Sequence, residues 1–163
     1  MSNGKTIDLE DPRAYVCPKL SVYLACSLSS DENRVFKDEV LSTTARIFTE
    51  AGFEVYNPAL HTPPGSPHTP SEVYFEDLFH PINSDFIFFL RLGRSHGMGI
   101  EAQLSADVLL PWGDARLSDN SYALSPLLAG LSNAPSIWRG TIFADNPNQF
   151  YALLAEALRD QAG

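Results

Sequence analysis

The segment Asp85–Arg91, DFIFFLR, packs five apolar residues in a row, without the polar–apolar alternation of a strand that has one wet face. That run is far short of the ~20 residues a membrane helix needs. It reads instead as a strand covered on both faces, which happens where helices flank a parallel sheet. Leu20–Cys26 (LSVYLAC) and Phe53–Tyr56 have the same short, apolar character. Between them lies a segment of helical period. Ser29 with Glu32 has the form of a capping box, Phe36, Val40, Ile47 and Ala51 make a stripe flanked by Leu41 and Phe48, and Gly52 ends it.

The pattern continues to the carboxyl end. Residues 57–70 (NPALHTPPGSPHTP) are breaker-rich and predict a long loop, of the kind that is usually functional. Thr69-Pro70-Ser71-Glu72 combines a capping box with a proline at the first helical position. The helix it opens runs to about Asn83, with Tyr74, Leu78 and Ile82 as its apolar stripe and Asp77 at the border. Gly97–Leu110 reads as helical, Pro111–Asn120 as a fourth strand and Ser136–Phe143 as the last. Asp145 and Pro147 open a final helix that carries Phe150, Leu153, Leu154, Ala157 and Leu158 on one face. Strand–helix alternation of this kind predicts an α/β, three-layer doubly wound (Rossmann/flavodoxin-like) sheet of about five mostly parallel strands, with helices on both faces. Residues 1–18 read as a polar tail and 19–163 as a single domain. In such sheets ligands bind at the carboxyl ends of the strands. Ala25–Ser30, the 57–70 loop and Leu92–Glu101 should therefore meet there.

Charge narrows the partners. Eleven Lys and Arg stand against 20 Asp and Glu, a formal net charge of −9. So acidic a surface repels phosphate polymers and anionic membranes, leaving a small molecule as the expected ligand. The polar start lacks the basic-then-apolar order of a secretory signal, and Cys17 and Cys26 follow no metal or disulfide spacing, so the expectation is a cytoplasmic protein without metal or cofactor.

The segment Arg94-Ser95-His96-Gly97-Met98-Gly99-Ile100-Glu101 leaves an apolar strand, turns through two glycines and opens a helix. Glycines there let backbone N–H groups approach an anion, and Ser95 adds a neutral hydroxyl. Taken alone, Ser95 equally fits a helix cap, and Glu101, near the first turn, a complement to the helix dipole. Asp77 alone fits a solvated surface carboxylate, and Tyr23 a core aromatic with a satisfied hydroxyl. Ser27, Ser29 and Ser30 could donate to an anion or serve as loop and cap. The four histidines share no metal-ligand spacing, and His61 and His68 read as solvated loop residues. The glycine pair lacks the Walker and full dinucleotide patterns.

Together these segments resemble the nucleoside 2-deoxyribosyltransferase superfamily. The resemblance rests on Val22-Tyr23-Leu24-Ala25-Cys26-Ser27, Gly52-Phe53-Glu54-Val55-Tyr56-Asn57-Pro58, Asp77-Leu78, Ser84-Asp85, and Ser95-x-Gly97-x-Gly99-x-Glu101. It is strongest toward the branch of 2′-deoxynucleoside 5′-monophosphate N-glycosidases and covers about residues 20–130. It implies that Glu101 is a nucleophile attacking the anomeric carbon, that Asp77 assists proton delivery to the departing base, and that Tyr23 orients the nucleophile. It implies that Ser95, with the backbone of Gly97 and Gly99, cradles a 5′-phosphate. Ser125 would reach that phosphate from a neighbouring subunit, making the active unit a homodimer. The transferases place an aspartate where this chain has Ser95; a carboxylate would repel a phosphate, and a serine accepts one. The expected activity is therefore hydrolysis of a nucleoside 5′-monophosphate through a glycosyl-glutamate. Base exchange between nucleosides and a non-catalytic nucleotide-sensing module are the alternatives. The phosphate-binding hydrolases usually carry basic residues after the first strand, and Ser29-Ser30-Asp31 has none.

Overall fold

A computed structural model describes residues 19–26, 34–63, 65, 67–92, 96–107, 111–117 and 138–160, and among them five strands and five helices. The order is β1 (Ser21–Cys26), α1 (Arg34–Glu50), β2 (Glu54–Tyr56), α2 (Pro58–His61), α3 (Pro70–Ile82), β3 (Phe86–Leu90), α4 (His96–Asp107), β4 (Trp112–Leu117), β5 (Trp138–Ala144) and α5 (Pro147–Asp160). The strands form one sheet in the order β2-β1-β3-β4-β5, and every pairing is parallel. This is the flavodoxin-like order, and the expected doubly wound architecture holds. Strand order reverses between β1 and β3, the switch point where such sheets open a crevice.

Strand periodicity divides the sheet into two faces. Val22, Leu24 and Cys26 of β1 and Phe88 and Leu90 of β3 point to one side. There they share a core with Val40, Leu41, Ile47 and Phe48 of α1 and Phe150 and Leu154 of α5. Phe48 sits edge-on to Phe88 with ring centroids 5.3 Å apart. Tyr23 and Ala25 of β1, paired with Ile87 and Phe89 of β3, face the opposite side, where α4 packs on β1 and α3 packs on α4.

Local signals set the element ends. Gly52 adopts φ +95°, a left-handed turn that releases α1 into β2. The capping box before α3 is formed: the Thr69 hydroxyl accepts from the Glu72 backbone N–H, and the Glu72 carboxylate accepts from the Thr69 N–H at 2.7 Å. Several expectations need correction. Ala51 is exposed rather than part of the α1 stripe. Residues 57–70 are not structureless, because Asn57 caps a short helix at Pro58–His61 by accepting from the Ala59 N–H at 3.0 Å. Asn146, next to the expected Asp145, accepts from the Gln149 N–H at the start of α5. The Ser29–Glu32 capping box lies outside the described residues. No described helix is long and apolar enough to cross a membrane.

The largest correction concerns α3. Tyr74 and Ile82 of its expected stripe are exposed, as are Phe75 and Phe79 beside them, while Leu78 is only partly exposed. Glu76, Asp77 and His80 turn inward and are only partly exposed. A helix normally buries its apolar face because that removes apolar area from water. Here the inward side is polar because it lines the crevice beside β1 and β2.

Candidate active site

β2 ends at Tyr56, and its register partner is Tyr23, the third of six residues in β1. Beyond this point β1 runs on without a strand partner on that side among the described residues. Tyr23 is fully buried and its hydroxyl donates to Glu101 Oε1 at 2.8 Å. Glu101 comes from the second turn of α4, with its side chain against β1. Of the expected catalytic residues, Tyr23 and Glu101 are thus in direct contact across 78 residues of sequence. Asp77 on the inner side of α3 faces the same pair, close enough that its charge raises the proton affinity of both.

The two oxygens of Glu101 have unequal surroundings. Oε1 holds the Tyr23 hydroxyl, whereas Oε2 is buried with no hydrogen-bond partner among the described residues. A buried polar oxygen left unpaired costs about 1–3 kcal/mol, so its persistence needs a reason. Burial pushes the Glu101 carboxyl up to about 7; the Tyr23 hydrogen bond opposes this and the Asp77 charge adds to it. Glu101 lies in the second turn of α4. Burial also raises the Tyr23 hydroxyl far above its ordinary range, followed by the charges of Glu101 and Asp77, so it remains a proton donor. Asp77 is raised by burial and by Glu76, while His80 acts in the other direction.

A second cluster, unmarked in the sequence reading, adjoins the first. The Tyr56 ring stacks on Tyr23 with centroids 5.5 Å apart, on His61 at 4.4 Å and on His80 at 3.7 Å. His80 Nε2 lies 2.7 Å from Glu76 Oε2, and the Tyr56 hydroxyl donates to the same oxygen at 3.5 Å. Burial and the Glu76 charge push the Tyr56 hydroxyl up to about 12. His61 is exposed as expected, yet it sits on α2 against Tyr56 rather than free in a loop. The available signal was the Glu76–His80 spacing of one helical turn.

Gly97 and Gly99 lie in the first turn of α4, as the sequence suggested. Ser27, Ser95 and Ser125, like Arg94, lie outside the described residues. Arg91, just after β3, is tied to Asp114 of β4 at 2.9 Å, with both side chains largely buried. An apolar cavity of about 340 Å³ lies on the other face of the sheet, lined in part by Phe48, Phe86, Ile142 and Leu154, and holds neither site carboxylate.

Known structures share this architecture. The Clostridium botulinum CMP N-glycosidase BcmB is 14% identical, with a TM-score of 0.62 over 84% of this chain and 98% of its own. The solution structure of BlsM is 16% identical, with a TM-score of 0.63 over 88% of this chain and 94% of its own. A 2-deoxyribosyltransferase from Bacillus psychrosaccharolyticus is 16% identical, with a TM-score of 0.56 over 82% and 95%. No protein-family model and no curated protein matches the sequence. The fold is shared with these solved structures, a CMP N-glycosidase and a 2-deoxyribosyltransferase among them.

Proposed function

We propose that the protein is a cytoplasmic, homodimeric N-glycosidase that hydrolyses the base–sugar bond of a nucleoside 5′-monophosphate. The observation that carries this reading is Glu101: one carboxylate oxygen is held by Tyr23, and the other is buried and without a partner among the described residues. That is the arrangement an oriented nucleophile needs. In the proposed reaction the free oxygen of Glu101 attacks the anomeric carbon as the carbon–nitrogen bond breaks. Asp77 gives its proton to the departing ring nitrogen. Water then opens the glycosyl ester, its proton returning to Asp77, and the sugar leaves with its configuration retained. Ser27, Ser95 and the N–H groups of Gly97 and Gly99 would hold the phosphate. Neutral donors suit a chain whose net charge of −9 disfavours a general anion-binding surface.

Chromatographic product analysis over ribo- and deoxyribonucleoside monophosphates tests the reading. Free base and a sugar 5-phosphate are expected. If an added second base is converted to a new nucleoside instead, the chain is a transferase, a reading favoured by the likeness to the Bacillus enzyme. Binding of nucleotides without base release would make it a sensing module.

The exposed α3 face supports the homodimer. Tyr74, Phe75, Phe79 and Ile82 lie on one side of a single helix, a contiguous apolar surface of the kind a second subunit covers. Ser125 of the neighbour would complete the phosphate site across it. Phe79→Glu is expected to convert the dimer to a monomer by analytical ultracentrifugation, and a wild-type monomer would remove the assembly from the proposal.

A further inference from the structure

The phosphate donors proposed above are all neutral, and Ser29-Ser30-Asp31 after β1 carries no cation. Neutral donors can place an anion, but they bring no charge to balance it. The structure holds a cation on the right side of the sheet. Ala115 and Leu117 of β4 point into the core shared with α1 and α5. Asp114, in register with Phe89, therefore points to the opposite face, which carries Tyr23 and Glu101. Arg91 Nη1 donates to Asp114 Oδ2 at 2.9 Å, which puts the guanidinium on that face as well. The Arg91 backbone N–H bonds to the Ala115 carbonyl, so Arg91 tops β3 at the carboxyl end of the sheet, shortly before α4 opens at His96.

The pair is held asymmetrically. Asp114 has both oxygens committed: Oδ2 accepts from Arg91, and Oδ1 accepts from the Thr141 hydroxyl of β5. Arg91 carries five N–H donors in a planar fork, and among the described residues only its Nη1 end is engaged. Its side chain keeps 12% of its surface open, against 5% for Asp114. A buried ion pair holds a sheet together no better than packed apolar side chains of the same volume, so stability alone does not account for it. Clamped from β4 and β5, the guanidinium has a fixed aim and further donors at the strand end, and its fork matches phosphate geometry. We infer, resting on the nucleotide reading above, that Arg91 holds the 5′-phosphate of the substrate and so selects sugar phosphates over free sugars. Asp114 and Thr141 are positioning residues that aim it. The Arg91–Asp114 pair is neutral as a whole, so the site is tolerable when empty, and the phosphate enters as a second anion on the same guanidinium.

Isothermal titration with ribose 5-phosphate and 2-deoxyribose 5-phosphate, the two free sugars and inorganic phosphate tests this without turnover. Wild type is expected to bind one of the sugar phosphates more tightly than its free sugar and than inorganic phosphate. Arg91→Met should weaken that binding roughly 10- to 100-fold, the size of a lost charge-assisted contact, and leave the free sugar unchanged. Arg91→Lys keeps the charge without the fork and should fall between. Asp114→Asn keeps the shape and removes the competing anion, so it should bind the sugar phosphate at least as tightly as wild type. A pair that only staples β3 to β4 predicts that Arg91→Met and Asp114→Asn behave alike. Equal losses in those two variants, or none in Arg91→Met, overturn the inference. Equal binding of inorganic phosphate also overturns it, by making the ligand a free anion. Thermal denaturation confirms that each variant is folded, and Arg91→Lys carries the comparison if Arg91→Met is not. Arg91-dependent sugar-phosphate binding in a protein that releases no base would sink the hydrolase reading and leave the site standing. Base release from monophosphates with a KM indifferent to Arg91→Lys and Arg91→Met would do the reverse.

Discussion

Glu101→Gln is expected to lose base release by on the order of 10³-fold or more, as removal of a covalent nucleophile does. The glutamine keeps the shape and can still accept the Tyr23 hydrogen bond, so the loss reports nucleophilicity rather than collapse. The same variant should be more stable than wild type in mild alkali. The Glu101 carboxyl lies above its ordinary range, at about 7, because it is buried. Between the ordinary carboxylate range and pH 7 the folded state binds more protons than the unfolded state, so stability falls as pH rises through this window. It is fully present below the window and lost above it. The substituted amide has no charge to bury. The gain at pH 8 is on the order of 3 kcal/mol, or roughly 5–10 °C in Tm. Near pH 4 the two proteins should melt together. Thermal scans at both pH values, alongside the product assay, check both halves; retained turnover in the folded variant would falsify the nucleophile assignment.

Tyr23→Phe should act on the same carboxylate from the other side. The phenol is buried and donates to Oε1, a bond that favours the charged form of Glu101. Without it, the carboxyl titrates still higher and both of its oxygens are buried without a hydrogen bond among the described residues. The acidic limb of the kcat/KM profile is expected to move upward by about one pH unit. Turnover should fall roughly 10- to 100-fold at neutral pH. The fold should lose about 1–3 kcal/mol for the orphaned group where Glu101 is ionised. A pH–rate series from 5 to 9 with paired melting curves measures these effects. An unmoved acidic limb would assign Tyr23 to packing alone.

The parallel sheet was legible in sequence because its central strands are apolar on both faces; Phe86–Leu90 admits little else. The pairing of Tyr23 with Glu101 was foreseeable only through the order of several segments, since each alone fits a core aromatic or a helix end. The orientation of α3 was not legible. Period 3.6 shows that Tyr74, Leu78 and Ile82 share a side, but period carries no information about which side meets the sheet. The rule that apolar faces turn inward then pointed the wrong way, at the helix whose polar side builds the crevice. His61 and His80 were missed for a related reason. Their meeting point is Tyr56, and nothing local in the sequence predicts that three elements converge on one ring.

The early end of β2 separates two kinds of change that most sites must make together. Glu101 and Tyr23 hang from α4 and β1, inside the sheet and its helical cover. The opposite wall begins where β2 stops, at Tyr56, and continues through Asn57, His61 and the proline-rich stretch. Substitutions beyond Tyr56 leave the paired strand residues and the Tyr23–Glu101 hydrogen bond in place. That wall can therefore be reshaped by substitutions at its own residues while the Tyr23–Glu101 contact is inherited unaltered.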